Sequence, residues 1–209
     1  MELIFHEEPF KHITVENVLS PDELDLIWQE VRFLSSPEKL NRPGIDHGAG
    51  GLGGYTNSRA AILELIYARP QVSDIISIIT NVTKTLGEKA ADKWKCFIRA
   101  RYLSEICTKL RYYHDNDEYQ THTDASQEYL MFFYLHKEPK SFEGGELYFE
   151  EYDYEFKALN NTAIFMPSYV AHAVKRVKIA ENDYWSGRGR YAITQFALGQ
   201  LNSMLSYRN

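Results

Sequence analysis

The sequence predicts an α+β fold: a double-stranded β-helix, or jelly roll, with N-terminal helices packed on one outer face. Three observations carry this. First, 209 residues with 44% hydrophobic and 14% aromatic content supply one sizeable core and fall short of two full-sized domains, so a single domain over 1–209 is expected. Second, residues 1–93 hold helix-start signals and helical apolar spacing around a glycine-rich loop. Third, from Trp94 the texture changes to short runs rich in Tyr, Phe, Ile, Leu and Thr separated by Gly, Asn, Asp and Pro, the mark of successive strands. Residues 94–200 are the expected jelly-roll core.

In chain order, Ser20-Pro21-Asp22-Glu23 puts Ser at an N-cap, Pro at N1 and Glu at N3. That pattern satisfies orphan amides and starts a helix over 21–33. Residues 41–58 hold six of the chain's 12 glycines. Ordering glycine costs extra backbone entropy, so a long loop is expected, and without a GK[ST] ending it reads as a lid or connection and not as a phosphate cradle. Residues 62–68 and 72–86 carry helical spacing, with Ile75, Ile76, Ile79, Val82 and Leu86 on one stripe, and the two helices are expected to form one layer. Strands are expected at 95–103, 106–113, 119–123, 129–136, 145–150, 162–166, 172–177 and 190–198, the eight of a double-sheet jelly roll.

Composition excludes several function classes. The 23 Lys and Arg against 29 Asp and Glu give a net charge of −6, which provides no global field for phosphate backbones, so no nucleic-acid partner is expected. No apolar run approaches the ~20 residues that span a bilayer, so no membrane association is expected. The opening MELIFHEEPFKH lacks the basic and apolar regions of an export signal. Cys96 and Cys107 are the only cysteines, too few for a disulfide framework, and reduced thiols in a cytoplasmic protein are the simplest reading.

The chemistry-bearing residues lie in the second half. His122-Thr123-Asp124 closes an expected strand, and alternation sends His122 and Asp124 to one face where both could share a metal. His172, opening a later strand, offers a third ligand. Two imidazoles and one carboxylate suit a non-haem iron(II) oxygenase with open coordination sites, and a zinc hydrolase remains an alternative at this point. Arg190 begins the run Arg190-Tyr191-Ala192-Ile193-Thr194-Gln195-Phe196. A guanidinium inside a barrel has to meet an anion, and its planar fork suits a carboxylate; a structural salt bridge is the other reading.

These motifs fall in a recognisable order. Tyr112 stands ten residues before His122. The His-Thr-Asp triplet follows, then Phe132-Phe133-Tyr134-Leu135, then Phe142-Glu143-Gly144-Gly145-Glu146-Leu147. Phe165-Met166-Pro167-Ser168 with His172 comes next, and Arg190-Tyr191-Ala192-Ile193-Thr194 closes the set. The ordered set, over residues 98–198, resembles the iron(II)- and 2-oxoglutarate-dependent dioxygenases of the prolyl 4-hydroxylase branch. The last strand is especially similar to that of the hypoxia-sensing prolyl hydroxylases and their bacterial relatives.

The resemblance implies that His122, Asp124 and His172 hold Fe(2+) and that Arg190 binds the distal carboxylate of 2-oxoglutarate. It implies that Tyr134 hydrogen-bonds that carboxylate, that Tyr112 lies beside the cosubstrate, and that Thr194 holds a water or a cosubstrate oxygen. Tyr119 and Phe196 match positions on the substrate side, with ordinary core packing as their other reading. The implied reaction is hydroxylation of an unactivated C–H bond with succinate and CO2 as coproducts, and ascorbate as an optional auxiliary. A prolyl residue of a protein or peptide is the favoured substrate; a free amino acid or other small molecule, or a non-catalytic metal-binding jelly roll, are the alternatives. Two features depart from the pattern: 17 residues separate His172 from Arg190, with Arg188 as a second candidate cation, and the glycine-rich loop with His47, Tyr55 and Arg59 matches no position.

Overall fold

The computed structural model describes residues 1–35, 40, 54–124 and 126–199. In chain order these form β1 (Glu2–His6), β2 (His12–Glu16), α1 (Pro21–Leu34), β3 (Arg59–Ile62), α2 (Leu63–Ile66) and α3 (Asp74–Lys93). A 3₁₀ segment (Lys95–Tyr102) precedes β4 (Leu103–Tyr113), β5 (Tyr119–His122), β6 (Tyr129–Leu135), β7 (Phe142–Glu143) and β8 (Leu147–Phe149). The rest is β9 (Tyr154–Phe156), β10 (Thr162–Pro167), β11 (His172–Val174), β12 (Lys178–Ile179) and β13 (Arg190–Gly199).

The strands make a seven-stranded sheet in the order β1-β2-β10-β6-β13-β4-β3, a four-stranded sheet in the order β5-β11-β8-β9 and the pair β12-β7. All pairings are antiparallel. Together they form the double-stranded β-helix expected from the sequence. β6 lies centrally between β10 and β13 and is buried along its whole length, which explains why YLMFFYL is continuously apolar and shows no alternation. One apolar cluster fills the space between the helices and the major sheet, and a second fills the space between the two sheets. No helix among the described residues is long and apolar enough to cross a membrane.

The capping signals hold in detail. The Ser20 hydroxyl accepts from the Glu23 amide, and the Glu23 carboxylate accepts from the Ser20 amide at 2.9 Å. α1 and α3 are then joined by Glu30, whose carboxylate accepts from the Ser73 hydroxyl at 2.6 Å and from the Ile75 amide at 2.8 Å. The first turn of α3 thus receives a carboxylate from the neighbouring helix, where the helix dipole favours one.

Several expected elements are corrected. The strand expected over 95–103 is the 3₁₀ segment, because Phe97 and Ala100 three residues apart bury one side against the helical layer. Residues 62–68 are the end of β3 followed by only four helical residues, the backbone having been captured as an edge strand on β4. The first 93 residues are not purely helical support, since they supply β1, β2 and β3 to the major sheet. The loop expected over 41–58 lies mostly outside the described residues.

Candidate active site

The register of the minor sheet brings the candidate metal-ligating side chains together. His172 opens β11 directly opposite His122 at the end of β5. Asp124 follows two residues later, its amide donating to the Ser168 carbonyl at 3.2 Å in the turn that leads to β11. Each imidazole is oriented by its own backbone: Nδ1 of His122 donates to the Gln120 carbonyl at 2.8 Å and Nδ1 of His172 to the Val170 carbonyl at 2.9 Å. A carbonyl can only accept, so both rings carry the proton on Nδ1 and offer the Nε2 lone pair inward. Those Nε2 atoms lie 3.9 and 3.5 Å from Asp124 Oδ2, and one ligand atom from each of the three buried residues falls within 4.8 Å of the others.

Burial, with the neighbouring His172 adding to it, lowers the His122 pKa to about 4. Burial pushes Asp124 upward, but the contact with His172 and the charges of both imidazoles and Lys109 outweigh it and leave it below the usual carboxylate range. The three buried side chains thus offer two imidazoles and one carboxylate, a donor set that suits ferrous iron and, taken alone, zinc.

The same cavity, about 140 Å³, is also lined by Arg190, Thr194, Phe196 and Tyr119. Arg190 is 2% exposed, and its guanidinium carbon lies 4.7 Å from the ring centre of Tyr113 and 4.8 Å from that of Tyr134. Its Nε and Nη1 and the Tyr134 hydroxyl have no hydrogen-bond partner. A buried guanidinium in that state costs several kcal/mol unless an anion joins it, and burial that raises the Tyr134 pKa keeps its hydroxyl protonated as a donor. These orphaned donors suit an anion such as a carboxylate, which the zinc hydrolase reading does not require. The glycine pair explains the approach: at Gly145 (φ +78°) a Cβ would lie 2.7 Å from Arg190 Cδ, and at Gly144 (φ +72°) 2.0 Å from the Arg176 carbonyl. Arg188 is engaged elsewhere, donating to the Ser141 hydroxyl and the Pro139 carbonyl.

Tyr112 is corrected. It faces the helical layer, packs on Tyr191 at 4.7 Å and accepts from the Gly189 amide. Its neighbour Tyr113 enters the cavity, directly opposite Arg190 in the register. Alternation along β4 then turns Arg111, Lys109 and Cys107 inward as well. Sequence reasoning missed these four; once Arg190 is placed, the register with β13 identifies all of them. Tyr119 stacks on His122 at 3.7 Å, and the Arg111 guanidinium lies over the same ring system at 4.9 Å from the Tyr119 ring centre. The Ser58 hydroxyl accepts from Arg111 at 2.8 Å and Thr56 bridges to Tyr119, so the end of the glycine-rich stretch belongs to the site. Tyr55 is exposed, Arg59 lies over Trp185, and His47 is outside the described residues.

Residues 108–198 match the 2OG-Fe(II) oxygenase superfamily, over the segment that holds the triad and Arg190. This chain carries a 2OG-Fe(II) oxygenase domain. The oxygenase uses Fe(2+) and 2-oxoglutarate, and the donor set and the orphaned Arg190 and Tyr134 atoms fit both. Its fold is shared with a Pseudomonas putida prolyl-4-hydroxylase (15% identity, 90% of this chain and 92% of that one, TM-score 0.60). It is likewise similar to a viral collagen prolyl hydroxylase from Paramecium Bursaria Chlorella virus-1 in its 2OG complex (15%, 89% and 94%, 0.58). A Trichoplax adhaerens prolyl hydroxylase in complex with a hypoxia inducible factor peptide fragment is a third (14%, 93% and 86%, 0.60). No curated protein matches the sequence.

Proposed function

We propose that this oxygenase hydroxylates a prolyl residue of a protein or peptide in the cytoplasm, using His122, Asp124 and His172 to hold iron. Arg190 and Tyr134 bind the distal carboxylate of 2-oxoglutarate. The observation that carries the cosubstrate assignment is the buried Arg190 guanidinium, whose orphaned Nε and Nη1 share a cavity with the three ligands. Bound together, ferrous iron and 2-oxoglutarate supply with dioxygen the oxidising power for C–H hydroxylation, releasing succinate and CO2.

The chain's own residues do the positioning. Arg190 supplies the N–H donors, and the rings of Tyr113 and Tyr134 lie against its guanidinium. Thr194 and Tyr113 complete the wall along which the cosubstrate lies, Phe196 and Tyr119 border the substrate side, and Phe132, Leu147 and Val174 exclude water. The cavity of about 140 Å³ is well below the ~300–1,000 Å³ that encloses a drug-sized ligand. A small dicarboxylate fills it, and the substrate presents one residue across the mouth. That supports a polymeric substrate, as does the fold shared with prolyl hydroxylases.

The test is mass spectrometry of proline-rich peptides incubated with the protein, Fe(2+), 2-oxoglutarate and ascorbate in air. A gain of one oxygen on proline with matching succinate is expected. Oxygen gained only by free amino acids or other small molecules overturns the peptide assignment.

A further inference from the structure

A second cavity, of about 350 Å³, opens on the outer face of the strands that carry the first. Tyr112 and Tyr191 turn into it while their neighbours Tyr113 and Arg190 face the metal ligands. Its apolar wall is aromatic: Tyr191 packs against Tyr112 at 4.7 Å and meets Trp28 edge-on at 5.5 Å. Its charge is of one sign. Arg32 from the last turn of α1, Arg59 from the start of β3 and Lys137 beyond β6 all line it, and among the described residues no aspartate or glutamate does.

The 184–187 turn completes the cavity. Trp185 holds φ +58°, a left-handed conformation that tryptophan rarely adopts, and Lys137 Nζ donates to the next carbonyl, Ser186 O, at 2.8 Å. The result sets the indole over the Arg59 guanidinium at 4.7 Å while leaving it 64% exposed. A large ring held exposed beside cations, over an aromatic wall, has the composition of a ligand site and not of a packed core.

We propose that this cavity binds a small organic anion with a flat apolar body, the body against Trp28, Tyr112 and Tyr191 and the anionic group between Arg59 and Lys137. Its volume falls within the ~300–1,000 Å³ of small-molecule pockets. No carboxylate stands among the described lining residues; Asp117 acts on Arg59 from outside the lining, and an anion relieves the charge that remains. The site is separate from the one assigned to 2-oxoglutarate and does not depend on that assignment.

The experiment titrates 2-naphthoate into the full chain loaded with manganese and saturating 2-oxoglutarate, following tryptophan fluorescence, with calorimetry for stoichiometry. Saturable one-to-one binding is expected, about tenfold or more weaker for the uncharged 2-naphthamide and about tenfold weaker in Arg59→Gln and in Lys137→Gln. Lys137 is at the surface, so if Arg59→Gln fails to fold the second variant decides. Absence of saturable binding at millimolar 2-naphthoate, equal affinity for the amide, an unchanged Lys137→Gln variant, or displacement by 2-oxoglutarate overturns the proposal.

Discussion

At the scale of single residues, Arg190 is the most informative side chain. Its burial with unpartnered Nε and Nη1 is costly in the ligand-free protein and favourable once a carboxylate arrives. Two opposite effects follow for Arg190→Met: the melting temperature of the ligand-free protein rises, and the further rise on adding 2-oxoglutarate with manganese disappears. Differential scanning fluorimetry reads both, and a fall in the ligand-free midpoint counts against the assignment. Gly145→Ala tests the same contact from the other side. Its Cβ would displace the Arg190 stem, from which it is 2.7 Å, at a φ of +78°, so calorimetry is expected to show 2-oxoglutarate binding weakened by about tenfold or more. His172→Ala removes one imidazole of the triad and is expected to abolish the thermal stabilisation by manganese.

At the scale of elements, α3 is locked to the major sheet by a buried polar group. Gln195 on β13 has its Oε1 2.5 Å from the Thr83 hydroxyl, and its Nε2 donates to the hydroxyls of Thr80 and Thr108 at 2.9 and 3.0 Å. Gln195→Leu leaves those hydroxyls without it, so urea unfolding is expected to show a loss of about 1–3 kcal/mol; an unchanged midpoint would show that the network contributes nothing. The helix start at Ser20 was readable because its capping atoms are neighbours in sequence. The phase of β4 was not. Tyr112 and Tyr113 are chemically equivalent, and which one enters the cavity depends on the register Arg190↔Tyr113 with a strand far along the chain. A one-residue shift would exchange them. β1 and β2 carry Ile, Val and Thr at strand spacing, but short amphipathic runs become strands only where a sheet edge receives them, here β10.

For the whole molecule, stability should fall in acid through buried histidines. His12 donates from Nδ1 to the Phe10 carbonyl at 2.8 Å, lies 3.3 Å from the Tyr154 hydroxyl and stacks on His6 at 4.4 Å. Burial lowers its pKa from 6.5 to about 4, with the charge of His6 acting in the same direction and the Phe10 hydrogen bond opposing. The unfolded chain therefore binds the extra proton first. The contribution is full above pH 6.5 and is lost as pH falls toward 4, by about 3 kcal/mol at most. Urea unfolding of the protein and of His12→Asn at pH 7 and pH 4 is expected to show the difference between them shrinking in acid; a constant difference would refute the linkage. The sequence by itself determined the chemistry: which residues can ligate iron, which cation can meet a carboxylate, and that strands carry both, since these depend on side-chain type and local alternation. Only the tertiary structure decided that His172 lies opposite His122, that Tyr113 and not Tyr112 supports Arg190, and that a second, cationic cavity backs the first. Each of those follows from pairing between strands distant in sequence, and long-range register is a property of the folded sheet that no local pattern encodes.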